Sequence, residues 1–291
     1  MKSFNRPVLV MLCSVAFFSS CSTARKGVSE LQRPTPEKLQ SILDSICSEG
    51  YNLYCAERAN WIASDSAVYN IGFDRIGGTA RWQTSNNTWH ISFFDTTLQY
   101  CLMEALFEPA GEKLTCSYPQ RSISEAEKDI MNLQNRMFQN AIAKYGDSIQ
   151  IANRDFGNPN FDFIKIDDQT MRMYMLQGTN KNNVIPFGLD YSFDFDFNGN
   201  VTAFRRYHQS LIPIATKTDD GSTQTAIHSH LKNNPYITPT DICNFLLYRT
   251  PDMKQTWVLS TALNGYIIYD APSNSAVFVS IEAMNKIRQN E

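Results

Sequence analysis

The chain has no run of 18 or more apolar residues, so no helix is expected to span a membrane. Positive charge is not in excess. Lys and Arg number 26 against 29 Asp and Glu, a net charge of −3, which leaves no electrostatic footprint for nucleic acid as a partner. No C-x-x-C pair occurs, so neither a thiol redox motif nor a cysteine zinc site is indicated. Internal repeats and low-complexity tracts are lacking too. Histidine is scarce, with 4 in 291 residues, and no glutamate lies between Glu127 and Glu282. The chain is 43% hydrophobic and 19% charged. That excludes disorder and allows one or two domains with a real core.

The N-terminus is built as a targeting segment. Lys2 and Arg6 form a basic start, and Val8 to Phe18 is apolar except for Ser14. The run is too short for a bilayer but suits a signal h-region. It ends in Phe18-Ser19-Ser20-Cys21. Small residues directly before a cysteine resemble the processing site of bacterial lipoproteins, although Phe18 stands where Leu is commoner. The resemblance implies that residues 1–20 are a signal peptide, that Cys21 is lipidated, and that the membrane is a partner through this anchor in the bacterial cell envelope. A plain secretory signal cut near Ser20 is the alternative. Losing Lys2 and Arg6 leaves 24 basic residues against 29 acidic ones, a net −5. Besides Cys21, the exported chain keeps Cys47, Cys55, Cys101, Cys116 and Cys243. An oxidising compartment permits disulfides, and Cys101 with Cys116 is the first pair to test. Residues 21–34 are largely polar and read as a tether.

Beyond the tether the patterning predicts an α+β fold. An N-terminal region of helices and antiparallel sheet (35–178) is followed by a β-rich unit (179–291) with one helix. Thr35-Pro36 is a helix start, and Leu39, Ile42, Leu43 and Ile46 form one apolar face. A second helix is expected over 53–66. Residues 70–110 predict a meander with a turn at Asn86-Asn87. Ser124 and Glu127 spell a capping box ahead of a long amphipathic helix reaching Gly146. Residues 163–176 predict strand. Tyr191, Phe193, Phe195 and Phe197 alternate with polar residues ahead of Asn198-Gly199, the signature of a strand and tight turn. A strand ending near Ile227, a helix over 239–249, and strands at 257–260, 266–269 and 277–279 complete the tail.

One constellation carries chemistry. His228-Ser229-His230 is followed, after seven residues, by Thr238-Pro239-Thr240-Asp241. Two histidines at i and i+2 of a strand point to one side, so both can reach one metal, and Asp241 can add a third ligand. Thr238, Pro239 and Asp241 are equally a well-formed helix start. The spacing H-x-H-x7-T-x-x-D resembles the H-x-H-x7-S-x-x-D motif of the JAB/MPN (JAMM) metallopeptidases, with Thr for Ser. The resemblance covers roughly residues 185–280. It implies a JAMM-like fold, Zn2+ held by His228, His230 and Asp241, and an oxyanion-holding hydroxyl on Thr238. The implied activity is cleavage of an amide or isopeptide bond in a peptide or protein substrate. The chain departs from the family in two places. Leu231 stands where Pro usually follows the H-x-H, and the stretch Val184 to Asp190 lacks the Glu that serves those enzymes as general base. Asp190, Asp194 or Asp196 is a shorter substitute or else a solvated strand residue. Without the base, the scaffold would be a non-catalytic peptide- or partner-binding lipoprotein. His208 is either a further ligand, an acid–base group or an ordinary hydrogen-bonded histidine. Arg205-Arg206 reads as a solvated strand face, and His90 as part of the N-terminal sheet.

Lipidation is directly testable. Cys21→Ser should leave the signal uncut and the chain without acyl groups, whose burial is worth about 0.8 kcal/mol per CH2. Mass spectrometry of the native protein showing an unmodified N-terminus near residue 21 would refute the anchor.

Overall fold

The structure, a computed structural model, describes residues 34–152, 156–218, 221–223 and 225–289. The expected signal peptide, Cys21 and the expected tether up to Arg33 lie outside the described residues. Among the described residues no helix is long and apolar enough to cross a membrane.

Thr35 caps the first helix, accepting the Lys38 N–H at 3.3 Å, and Pro36 opens it. That helix, α1 (Pro36–Asn70), is 35 residues long, so the two helices expected from the sequence are one. No proline or turn separates them. Gly50, which costs a helix interior about 1 kcal/mol, sits where α1 passes another helix too closely for a side chain. A Cβ there would lie 2.7 Å from Ile242 Cβ.

Four antiparallel strands follow as a meander: β1 (Ile76–Gln83), β2 (Trp89–Asp95), β3 (Tyr100–Glu108) and β4 (Lys113–Ser117). The turn between β1 and β2 includes Asn87 at φ 64°, as Asn86-Asn87 suggested. Two-residue β5 (Arg121–Ser122) pairs with the start of β3. Capped by its box, with Glu127 bonding the Ser124 N–H at 2.9 Å, α2 (Glu125–Tyr145) packs on β1. His90 packs its ring on Trp82 at 4.2 Å.

The expected strand over 163–176 is a hairpin, β6 (Pro159–Lys165) and β7 (Met171–Gln177). Asp167 breaks it by accepting the Gln169 N–H at 2.8 Å, an Asx-type turn. Next come β8 (Val184–Phe187), β9 (Tyr191–Phe195) and β10 (Val201–Arg206). The sheet order β10-β9-β7-β6 crosses the 178/179 boundary through the β7–β9 pairing. Tyr191, Phe193 and Phe195 are core, whereas Phe197 is exposed because the strand ends first. Asp196 ends it, accepting the N–H groups of Asn198 and Asn200 at 2.9 Å each. Strand β11 (Ile212–Ala215) pairs with β8, and β12 (Lys217–Thr218) with β13 (Gly221–Ser222).

The tail runs β14 (Thr225–His230), α3 (Pro239–Tyr248), β15 (Gln255–Ser260), β16 (Gly265–Asp270), β17 (Ser275–Ser280) and α4 (Ile281–Gln289). Strands β14 and β15 are parallel and the rest antiparallel. A parallel pair needs a crossover, and α3 supplies it. The α3 face carrying Ile242 and Phe245 is buried against Leu43 and Cys47 of α1 and Val258, Ile267 and Tyr269 of the sheet. The whole is α+β, as the patterning indicated.

The five described cysteines are free, so Cys101 and Cys116 form no disulfide. Across β3 and β4 the residue opposite Cys116 is Ala105. Cys101 instead contacts the Met103 carbonyl, and Cys116 the Ser66 hydroxyl.

The α1–α3 crossing generates a stability prediction. Gly50→Ala improves helix propensity but overpacks the contact with Ile242, so it should destabilise by about 1–3 kcal/mol. Thermal unfolding of the two proteins checks the sign; a stabilised variant would refute the crossing.

Candidate metal centre

Strand alternation places His228 and His230 on one face of β14, and both are buried. Asp241 reaches them from the first turn of α3. Its two oxygens divide the work. Oδ2 accepts the backbone N–H of Thr238 at 2.8 Å and its hydroxyl at 2.7 Å, completing the capping box. Oδ1 turns to His228 Nε2 at 3.1 Å. The helix cap and the ligand set are therefore one carboxylate.

A third imidazole joins them. His208 lies just past β10, and its Nε2 is 2.8 Å from His230 Nε2 and 3.3 Å from Asp241 Oδ1. His228 Nε2 is 3.1 Å from His230 Nε2, and His230 Nε2 is 3.4 Å from Asp241 Oδ2. One donor atom from each of His208, His228, His230 and Asp241 falls within 4.8 Å of all the others. Their side chains are only 1–4% exposed.

The outer partners fix which nitrogen faces inward. His208 Nδ1 donates to Asp190 Oδ1 at 2.8 Å, and His230 Nδ1 donates to the Tyr236 carbonyl at 2.6 Å. With both Nδ1 atoms carrying hydrogen, neutral rings turn two Nε2 lone pairs toward each other at 2.8 Å. That contact is repulsive unless a proton or a cation lies between them. Burial lowers His208, but Asp190 and Asp241 outweigh it and raise it to about 9. At His230, burial and the neighbouring imidazoles prevail over Asp241 and push it down to about 4. Burial would raise Asp241, yet the three histidines hold it far below the usual carboxylate range. The described group can hold a metal ion.

Backbone geometry delivers the two residues outside the motif. Gly188 adopts φ 88°, and a Cβ there would meet the Ser210 carbonyl oxygen at 2.1 Å. This approach, with the Tyr207 N–H donating to the Asp190 carbonyl at 3.1 Å, lays the His208 loop over Asp190. Asp190 is therefore buried, not a solvated strand residue, and it also accepts a hydrogen bond from the Thr240 hydroxyl. Asp194 pairs with Arg172 at 2.9 Å, and Asp196 serves its turn. Thr238 is present beside the cluster, but its hydroxyl is held by Asp241 and by Thr240 at 2.8 Å. Of Arg205-Arg206, Arg205 is exposed as expected, while Arg206 bonds the carbonyl oxygens of His208 and Gln209. The sequence signal for His208 was the crowding of three of four histidines into residues 208–230; Asp190 had none beyond the Gly188-Leu189 turn before it.

A second grouping, Cys101, Glu104 and Glu127, already has its cation. Arg121 bonds both carboxylates, Glu127 at 2.7 Å. No protein-family model, curated protein or solved structure matches the chain.

The Asp190–His208 bond predicts its own measurement. Asp190→Asn removes the acceptor charge that orients His208, and loss of such a partner typically costs 10–100-fold in metal affinity. Competition of the variant against a chromophoric chelator should show a weakening of about that size; an unchanged affinity would exclude His208 from the site.

Proposed function

We infer that this chain is an envelope-anchored lipoprotein on a JAMM-like scaffold whose zinc site is closed and structural rather than catalytic. The observation that carries the reading is that His208, His228, His230 and Asp241 each bring one ligand atom within 4.8 Å of all the others, with four of the separations between 2.8 and 3.3 Å. Tetrahedral zinc with metal–nitrogen bonds of about 2.0 Å has donors about 3.3 Å apart. Four protein ligands fill that geometry, whereas a hydrolytic zinc keeps one position open.

Charge and shielding support it. Asp190 and Asp241 bring two buried carboxylates to the three imidazoles, and a divalent cation would balance them. Burying such charge without compensation costs several kcal/mol per ion. The stretch 184–190, where the resemblance would put the Glu, contributes Phe187, its ring 4.6 Å from that of His228. Thr238 has its hydroxyl engaged in the helix cap. Zinc bound here would tie β14, the start of α3 and the His208 loop together, and the surfaces that meet partners would lie elsewhere.

A second reading rests on the Asp190–His208 pair. With His208 off the metal, three ligands and an open position remain, and His208 becomes an aspartate-oriented base at the edge of an amide- or isopeptide-hydrolysing site.

Metal analysis of protein purified without chelator should find one zinc per chain, lost in His230→Ala and Asp241→Ala. His208→Ala separates the readings: weakened zinc binding with lowered thermal stability supports the closed site. Full zinc retention, with peptide or isopeptide turnover in the wild type that Asp241→Ala abolishes, would establish the hydrolase.

A further inference from the structure

A cleft of about 330 Å3 opens along α1, beginning two turns past the Gly50 contact with α3, a volume at the lower end of the range for small-ligand sites. One wall is a helix face. Glu57, Asn60, Trp61 and Ser64 recur along α1 at helical spacing. The facing wall comes from the start of β6 and the chain on either side of the β6–β7 hairpin, with Asn158, Asn160 and Asn180. Tyr248 closes one end, its ring 6.0 Å from that of Trp61 and tilted by 43°.

The chemistry of the lining is selective. Among the described residues the lining includes no Lys, Arg or His, and Glu57 and Asp65 are its acidic members, so nothing described there matches a phosphate or a carboxylate. Trp61 is 42% exposed, an aromatic face left uncovered beside a concave polar surface. The carboxamides of Asn60, Asn158, Asn160 and Asn180 each offer donors and an acceptor. That dual character suits hydroxyl groups, which also both donate and accept. Glu57 adds a buried polar group. It is 3% exposed and abuts Asp162, yet its Oε1 and Asp162 Oδ2 lack a hydrogen-bond partner of normal geometry. Its Oε2 reaches Asn160 Nδ2 only at 3.4 Å. Burial first, then Asp162, raises Glu57 well above the usual carboxylate range.

We propose that this cleft binds a neutral, hydroxyl-rich ligand, a glycan chain, with a sugar face against Trp61 and its hydroxyls on the asparagines and Glu57. An aromatic face paired with a ring of neutral amides is the complement of a pyranose, which presents C–H groups on its faces and hydroxyls at its rim. The site stands apart from the metal centre, so it holds whether that centre is structural or hydrolytic.

The test is calorimetric titration of the full chain, in a non-glycosidic detergent, with maltotriose, cellotriose, mannotriose, chitotriose, trigalacturonic acid and the peptide Gly-Asn-Gly. At least one neutral trisaccharide should bind with a dissociation constant below a millimolar. Trp61→Ala, at an exposed position that leaves the circular dichroism unchanged, should weaken it by about tenfold or more. Asn60→Ala should weaken it severalfold, and Glu57→Gln, which keeps a polar side chain at that position, should bind nearly as the wild type does. Binding of none of the neutral sugars, preference for the acid or the peptide, or wild-type affinity in Trp61→Ala would overturn the proposal.

Discussion

The two oxygens of the Asp241 carboxylate hold the C-terminal half in register. Oδ2 starts α3 by accepting both the N–H and the hydroxyl of Thr238, and Oδ1 faces the histidines. The helix must begin where β14 ends, within reach of His228. The parallel pairing of β14 with β15 then follows, because α3 is the crossover between them. Displacing that carboxylate would undo the helix start and the histidine contacts together, and the hydrogen bonds from Thr238 with the three neighbouring histidines offset the cost of burying its charge.

Around this point the fold is organised by long-range packing rather than by separate modules. Helix α1 contributes Leu53, Ala56 and Ala59 to the core beneath the meander, and Leu39, Leu43 and Cys47 to the core beneath α3. Arg172 binds β7 to β9 through Asp194 and to α1 through Glu49. The helix α3 that carries Asp241 thus packs on the same α1 whose later turns line the Trp61 cleft.

Much of this was legible in the sequence wherever a local rule decides the outcome. The capping box at Ser124, the alternation Tyr191–Phe195, the hairpin at Asn198-Gly199 and the helix start at Thr238 needed only neighbouring residues to be read. So did the pairing of His228 with His230. What escaped depended on distant contacts. Gly50 resembles a helix interruption until Ile242 is known to lie against it. Asp190 looks solvated until Gly188, in its left-handed conformation, folds the Ser210 loop across it. His208 was visible as a candidate but not as a neighbour of His230, because the intervening chain, a separation of 22 positions, has no pattern that dictates closure.

Strand β9 finds its partner in β7, and α3 finds its seat at Gly50, both supplied by chain that precedes the H-x-H segment by more than fifty residues. In the terms of gene recombination, the motif-bearing tail is not a cassette. A fragment beginning at residue 179 would carry the three histidines and Asp241 intact into a new host but leave behind the strand and the helix on which they are built. Exchange of this tail between proteins would have to bring α1 and β7 with it.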